Sequence, residues 1–249
     1  MQFIAPYRLI GSPKIGLHLH PDHVSDLRAS GLTDETIRAA GVYSLRPCDF
    51  ARFFSPRGIP NEIETALCFP YLGSSFARIK LFPALVKMKY AQLPGTGAKL
   101  YAPFSVKTED IIVTEGEKKT LAAHQAGINT VGVGGVWNWL SSGEPISDLK
   151  LIEWNGRDVT IIPDSDVFRR RELMAAIYAL GRELQARGAA VCIAEIPANG
   201  RVKGGLDDFL LRGGTVSALE VFGLGHRIFK SCAYWHGQWK LKKAIRDAA

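Results

Sequence analysis

The chain has 249 residues, of which 47% are hydrophobic and 22% charged. This length suffices for one large or two small domains, and the composition excludes a mostly disordered chain. Lys and Arg total 31 against 24 Asp and Glu, and the resulting net charge of +7 favours a polyanionic partner. No apolar run reaches the roughly 20 residues that span a bilayer, and the N-terminus does not resemble a secretion signal. We therefore expect a cytoplasmic protein without a membrane partner.

The four cysteines are Cys48, Cys68, Cys192 and Cys232. They form no C-x-x-C pair, so the ligand spacing of a zinc ribbon or zinc finger is missing and we expect no zinc. Four free thiols in a reducing compartment are the simpler interpretation, with two disulfides as the alternative. A G-x-x-x-x-G-K-[ST] phosphate loop is also missing, which excludes an NTP-driven motor on this chain.

Residues 1–108 predict a small α+β subdomain. Four elements are expected in it, namely helices over 21–30 and 33–40 and strands over 66–72 and 76–81. Thr33 is the expected N-cap of the second helix. A loop rich in Gly and Pro follows over 93–98. From Thr65 to Thr108 there is no acidic residue, so this part of the subdomain is predicted to be strongly basic.

Strands alternate with helices over residues 109–214. The expected strands are 110–114, 128–133, 158–163 and 190–196, and the expected helices are 117–125 and 171–187. Such alternation predicts a parallel sheet with helices on both faces. Residues 215–249 predict a helical tail rich in basic and aromatic residues. Its Trp235 and Trp239 favour either a single-strand binding surface or a docking site for another replication protein.

Three acids follow predicted strands directly. Glu115 comes after the first strand of the alternating region, and Asp164 and Asp166 come after the third. The carboxyl ends of parallel strands form the site edge of such sheets, and residues i and i+2 point the same way. A carboxylate cluster of this kind suits Mg²⁺, which prefers oxygen ligands. Helix capping or solvated loop positions are the alternative roles for these acids.

An ordered set of motifs carries a family resemblance. The motifs are Ile111-Ile112-Val113-Thr114-Glu115-Gly116, then Val131-Gly132-Val133-Gly134-Gly135, then Ile161-Ile162-Pro163-Asp164-Ser165-Asp166, and finally Lys203-Gly204-Gly205-Leu206-Asp207-Asp208-Phe209-Leu210. Over residues 109–214 they resemble the TOPRIM domain of bacterial-type primases, topoisomerases and some nucleases.

Segments outside the motifs narrow this resemblance. Those at 69–71, 77–80, 89–90 and 100–103 resemble the subdomain that precedes TOPRIM in DnaG-type and phage primases. Together with 27–32 and 115–119, they resemble the TOPRIM-containing DUF3854 family of phages, plasmids and other mobile elements. The implied fold is α/β, a Rossmann-like TOPRIM sheet with helices on both faces, preceded by the small α+β subdomain.

The resemblance implies a primase-like nucleotidyltransferase of a mobile element. Such an enzyme makes short primers on single-stranded DNA from NTPs or dNTPs with Mg²⁺ or Mn²⁺, and a replicative helicase on another chain is a further implied partner. Two departures argue against sequence-specific initiation. Lys119 occupies a position where replicative primases usually carry an acid, and the zinc-binding module is missing.

The predicted site residues fall into three groups. The catalytic and metal-binding group is Glu115, Asp164, Asp166, Asp207 and Asp208, with the first three catalytic. The nucleotide and phosphate group is Gly116, Lys118, Lys119, Gly134, Gly135, Arg169 and Arg170. The nucleic-acid group is Arg78, Lys80, Lys87, Lys89, Tyr90, Lys99 and Tyr101. Alternative roles are a helix cap for Asp207 or Asp208, solvated surface for the lysines and core packing for the tyrosines.

Two other functions remain open on sequence grounds. One is a metal-dependent nuclease on the same fold, as in OLD-type proteins. The other is a nucleic-acid-binding adaptor without catalysis. We do not expect a topoisomerase, because 249 residues leave little room for a tyrosine-bearing domain and a gate.

Overall fold

The computed structural model describes residues 19–55, 58–71, 73–86, 88–197 and 203–237. They divide into two compact units. The first comprises the described residues up to Gly97 together with Ala102–Ser105, and the second comprises Ala98–Tyr101 and the described residues from Val106 onward. No helix among the described residues is long and apolar enough to cross a membrane.

The helices of the first unit begin where the sequence places caps. They are α1 (Pro21–Ala29), α2 (Asp34–Ala39) and the single turn α3 (Pro47–Phe50). Pro21 stands at the first position of α1, where its missing N–H has no intrahelical partner to lose. Thr33 caps α2, and its Oγ1 accepts the N–H of Thr36 at 3.3 Å. The two predicted helices are therefore confirmed.

An antiparallel sheet completes the first unit. Its strands, in spatial order, are β1 (Tyr43–Leu45), β2 (Thr65–Pro70), β3 (Ala77–Leu85) and β4 (Met88–Gln92). Alternate residues of β2 and β3 point to opposite faces, so Ala66 and Ile79 pack with Phe50 and Phe53 in one core. The sequence predicted β2 and β3, whereas β1 and β4 were not predicted.

The second unit contains a six-stranded sheet. Its strands, in spatial order, are β12 (Glu220–Gly223), β11 (Ala190–Glu195), β10 (Asp158–Ile162), β6 (Ile111–Glu115), β7 (Thr130–Val133) and β5 (Leu100–Tyr101). The four inner strands are parallel and the two outer strands are antiparallel to their neighbours. A short hairpin, β8 (Leu140–Ser141) and β9 (Glu144–Pro145), lies outside this sheet. The inner strands are the four that the sequence predicted.

Helices cover both faces of this sheet. They are α4 (Glu117–Gln125), α5 (Arg171–Ala186) and α6 (Leu206–Leu211). Ile162 packs with Ala123 of α4 and Leu206 of α6. Its neighbour Ile161 faces α5, where a Cβ on Gly181 would lie 3.5 Å from Ile161 Cδ1. The predicted parallel sheet with helices on both faces is therefore confirmed.

The segment predicted as a helical tail is more varied. Residues 220–223 form β12, which pairs antiparallel with β11 and widens the sheet. Residues 230–237 are helical. Phe229 is buried with its ring 5.6 Å from that of Tyr178, whereas Trp235 is exposed. Trp239 and the lysines after it lie outside the described residues.

Candidate functional site

The sheet brings Glu115 and Asp164 into contact. β6 and β10 are adjacent and parallel, and Thr114 pairs with Ile162 in their register. Thr114 Oγ1 donates to the Ile162 carbonyl at 2.9 Å, which holds the two strand ends together. The Asp164 N–H then donates to Glu115 Oε1 at 3.2 Å. Both side chains are buried. The two carboxylates, which the sequence predicted to meet at the ends of neighbouring strands, are therefore largely shielded from water.

A close helix–strand contact fixes the start of α4 beside Glu115. Gly116 has φ of 83° and its N–H donates to the Val133 carbonyl at 2.6 Å. Thr120 Oγ1 donates back to the Gly116 carbonyl at 2.9 Å. A Cβ on Gly132 would lie 2.2 Å from Thr120 Oγ1, so only glycine lets α4 approach β7 this closely.

Two lysines neutralise the acidic centre. Lys119 Nζ lies 2.9 Å from Asp164 Oδ1, and Lys203 Nζ lies 2.8 Å from Asp164 Oδ2 and 3.3 Å from Asp166 Oδ1. The loop of Lys203 is tied to the Asp loop, because the Gly204 N–H donates to Ser165 Oγ at 2.9 Å. Sequence reasoning missed Lys203, although it directly precedes the Gly-Gly pair of the fourth motif. Lys119, predicted to meet a phosphate, is a partner of Asp164, and its contact with phosphate stays a prediction.

The electrostatics of the site favour charged lysines and a weakly acidic Glu115. Burial and the neighbouring Asp164 carboxylate raise the pKa of Glu115 to about 6. Burial opposes the charge of Lys119, yet the Asp164 carboxylate outweighs it and the pKa of Lys119 is raised. The pKa of Lys203 is raised in the same way, by Asp164 and Asp166 against burial. Both ammonium groups therefore stay protonated near neutral pH.

The five predicted metal ligands are not gathered into one site. Within the described ranges, no three Asp, Glu, His or Cys side chains are placed to hold a metal ion together. Asp208 caps α6, since its Oδ2 accepts the Gly205 N–H at 2.9 Å, and this corrects its assignment as a ligand. Asp207 is buried and acts on Lys119 electrostatically.

The remaining carboxylate pair does fit one divalent ion. Asp164 Oδ2 and Asp166 Oδ1 face one common group, the exposed Lys203 ammonium, at 2.8 and 3.3 Å. Asp166 Oδ1 is buried and accepts no well-formed hydrogen bond from any described residue. Mg²⁺ is commonly held by one or two carboxylates with water and substrate phosphate as its other ligands. Asp164 and Asp166 meet that requirement, whereas a larger carboxylate set does not form.

The predicted phosphate-binding residues lie after β7, on α4 and in the segment between β10 and α5. Gly134 and Gly135 follow β7, and a Cβ on Gly135 would have 4.0 Å to its nearest neighbour, so no close approach requires that glycine. Lys118 is half-buried on α4. Arg169 is exposed, and Arg170 pairs with Glu172 at 3.0 Å and with Asp166 at 3.6 Å. Their contacts with phosphate stay predictions.

Two of the predicted nucleic-acid contacts are interior residues. The Lys80 ammonium pairs with Asp26 of α1, and only 7% of the Lys80 side chain is exposed. Tyr101 is fully buried in β5, where it pairs with Gly132 of β7. Lys80 cannot hold a phosphate backbone and Tyr101 cannot stack on a base, which corrects both assignments.

The other described members of that group are half-buried or exposed. Arg78, Lys89 and Tyr90 form a cluster on β3 and β4, here called the β3–β4 surface. The Arg78 guanidinium lies 4.4 Å from the centre of the Tyr90 ring, and Lys89 Nζ lies 5.9 Å from it. Lys99 is half-exposed and pairs with Asp148 at 3.1 Å. Lys87 lies outside the described residues.

Comparison with known proteins places the fold. Residues 105–217 match the model of a domain of unknown function, DUF3854. The chain is similar to the crystal structure of the Aquifex aeolicus primase (zinc-binding and RNA polymerase domains), with a TM-score of 0.59 and 15% identity. That match covers 82% of this chain and 57% of the Aquifex chain. The chain is also similar to the DnaG catalytic core, with a TM-score of 0.51 and 16% identity over 78% of this chain and 69% of that one.

No curated protein matches the chain in sequence. The predicted resemblance to DUF3854 and to DnaG-type primases is confirmed, and so is the TOPRIM-type α/β fold. The structural similarity establishes a primase-like fold. At identities of 15% and 16% it establishes the fold alone, so the activity has to be argued from the site.

Proposed function

We propose that this protein is a primase-like nucleotidyltransferase that synthesises short primers on single-stranded DNA. The observation that supports this best is the contact between the Asp164 N–H and Glu115 Oε1, with Asp166 adjacent, at the carboxyl ends of neighbouring parallel strands. In open α/β sheets, ligands bind at that edge. The primase-like fold makes nucleotides and template DNA the ligands of choice.

The acids have separate roles in this proposal. Asp164 and Asp166 would hold one Mg²⁺ or Mn²⁺, which would supply positive charge for a bound triphosphate. The primer 3′-hydroxyl oxygen attacks the α-phosphorus, the bond to the β-phosphate oxygen breaks and pyrophosphate leaves. Glu115 takes up the hydroxyl proton at Oε2, because Oε1 is held by the Asp164 N–H.

Phosphate contacts come from the residues that flank the acids. The Gly116 N–H is committed to the Val133 carbonyl, so Lys118 and Arg169 are stronger candidates than the α4 N-terminus. Lys203 is 55% exposed and contacts both Asp164 and Asp166, which places an additional cation at the same edge. The glycines after β7 and Arg170 complete the proposed set.

Template binding is assigned to the first unit. The β3–β4 surface offers two cations beside an aromatic ring, which suits phosphate contacts and base stacking along a single strand. Lys87 and Lys99 are additional proposed contacts. In this proposal residues 1–108 bind the template, 109–214 carry catalysis and 215–249 add a surface for DNA or a helicase, within the replication of a mobile element.

A primer-synthesis assay tests the proposal. Purified protein is incubated with single-stranded DNA, labelled NTPs or dNTPs, and Mg²⁺ or Mn²⁺. Wild type should yield short oligonucleotides, and Asp164→Ala should reduce the yield at least about 100-fold, as loss of a catalytic group does. Asp158→Ala is the matched control, since Asp158 is exposed at the opposite end of β10. Equal yields from wild type and Asp164→Ala would refute the proposal.

The lysine pairing favours one second candidate, an adaptor that binds nucleic acid on a primase-like fold. Lys119 and Lys203 neutralise the acids without a metal ion. The adaptor binds single-stranded DNA in a salt-sensitive way, and Glu115→Ala, Asp164→Ala and Asp166→Ala leave that binding unchanged. Primer synthesis by wild type would exclude this alternative.

A further inference from the structure

Lys119 extends from α4 into the acidic centre. Its Nζ lies 2.9 Å from Asp164 Oδ1, and the carboxylates of Asp207 and Glu115 also attract it. The exposed fraction is 21% for the Lys119 side chain and 5% for that of Asp164. A single positive charge therefore stands where several negative charges act together, and little water screens it.

The surrounding fold holds this lysine in place. A Cβ on Gly205 would lie 2.2 Å from Lys119 Cε and 2.6 Å from Asp207 Oδ1, so the lysine stem passes directly over the Gly205 backbone. Gly205 is the N-cap residue of α6, and α4 and α6 pack against each other. The stem of Lys119 is therefore packed against the start of α6 on this side, which restricts its rotamers more than those of an exposed lysine.

Lys203 is held far less firmly. Its ammonium bridges Asp164 Oδ2 and Asp166 Oδ1, but 55% of its side chain is exposed. Exposed ion pairs contribute little, because water screens them and the lysine loses rotamer freedom in forming them. A divalent ion that competes for the same two carboxylates can therefore displace Lys203, whereas Lys119 stays.

We propose that this site takes a single divalent ion, bound by Asp164 and Asp166 in place of the Lys203 ammonium, and that Lys119 is a resident cation that substitutes for a second ion. A second ion would need Asp164 Oδ1, which already faces the Lys119 ammonium. The inference rests on the proposed function for the identity of the site, yet the number of bound ions is measurable without DNA or nucleotides.

Titration of Mn²⁺ into the metal-free protein, followed by electron paramagnetic resonance of the free ion, tests this inference. Wild type should bind one Mn²⁺ per chain. Lys119→Asp should bind two, because it replaces the resident cation with a carboxylate. Lys203→Met should still bind one, about fivefold more tightly, since an exposed competing ion pair is removed. Lys118→Asp, with the same charge change on the same helix, should keep the count at one.

Two or no Mn²⁺ on wild type would overturn the inference, and so would a count of one on Lys119→Asp with an unchanged circular dichroism spectrum. If Lys119→Asp does not fold, Lys203→Met provides the test. An Mn²⁺ affinity of Lys203→Met equal to or weaker than that of wild type then overturns the inference. One bound Mn²⁺ without primer synthesis would refute the proposed function and support the one-ion site. Primer synthesis with two bound ions would support the proposed function and refute the one-ion site.

Discussion

Replacing Asp164 by Asn should destabilise the metal-free protein. In a cluster of carboxylates alone, neutralising one member relieves repulsion and raises stability. Here Asp164 is the counter-ion of Lys119 at 2.9 Å and of Lys203 at 2.8 Å, and its own side chain is only 5% exposed. Its loss leaves a largely buried ammonium with a weaker set of partners.

The size of the effect follows from the exposure of each partner. Breaking a fully buried ion pair removes about 3–5 kcal/mol of unfolding free energy. Asp207 and Glu115 still attract Lys119, and the pair with the half-exposed Lys203 adds less than about 1 kcal/mol, so the loss is toward the low end. Relief of repulsion with Glu115, whose pKa stands at about 6, returns about 1 kcal/mol. We expect a net loss of about 2 kcal/mol.

Urea denaturation at pH 7 with a chelator measures this directly. Asp166→Asn is the matched control, because its side chain is 23% exposed and its pairs with Lys203 and Arg170 span 3.3 and 3.6 Å. That variant should change the unfolding free energy by less than about 1 kcal/mol. An Asp164→Asn protein as stable as wild type, or more stable, would refute the reasoning, since the site would then behave as unpaired carboxylates.

Three other predictions concern packing and pH. His23 is fully buried, and burial lowers its pKa to about 4, so the unfolded state binds more protons than the folded state below pH 6.5. The free energy of unfolding should therefore fall by up to about 3 kcal/mol as the pH drops to 4. His23→Gln should remove that part of the pH dependence in urea titrations, and an unchanged dependence would contradict the prediction. Gly132→Ala should lower the unfolding free energy by about 2 kcal/mol, because the added Cβ clashes with Thr120 Oγ1. Adding Thr120→Ala should restore at least half of the lost free energy, and no recovery would mean that the strain arises elsewhere. Lys80→Met should lower the unfolding free energy by about 3 kcal/mol, because it leaves the Asp26 carboxylate without its buried partner Lys80, and it should leave single-stranded DNA binding unchanged. Weaker DNA binding at equal stability would instead show that Lys80 contacts DNA.

The inner sheet was predictable because its strands are continuous apolar runs between turn residues. Ile161 and Ile162 are buried and Pro163 ends the run, so β10 is visible in the sequence. The outer strands lack this signal. β5 has two residues, and β12 includes the exposed Val221, so hydrogen bonding to a neighbouring strand defines them, not an apolar pattern. Pairing between distant segments is not encoded in local periodicity.

The same distinction separates the site residues that were predicted from those that were missed. Glu115 ends β6 and Asp164 follows β10, so both lie at the carboxyl edge of the parallel sheet that the alternating strands and helices predict. Lys80 lies in a strand between two core residues and on the opposite face to them, where a polar side chain normally meets water. In this fold Asp26 of α1 meets it instead, 54 residues away in sequence. Which face a helix covers is a tertiary property, and charge counting along the chain does not reveal it.

The positive net charge therefore overstates the surface available to a polyanion. Lys80 and Lys99, both inside the acid-free segment, pair with Asp26 and Asp148. At the carboxyl edge of the second unit's sheet, Lys119 is paired with Asp164. A phosphate backbone releases counterions only where it meets cations that are not already paired. Under the proposed function, the attraction for single-stranded DNA therefore comes from fewer cations than the composition implies.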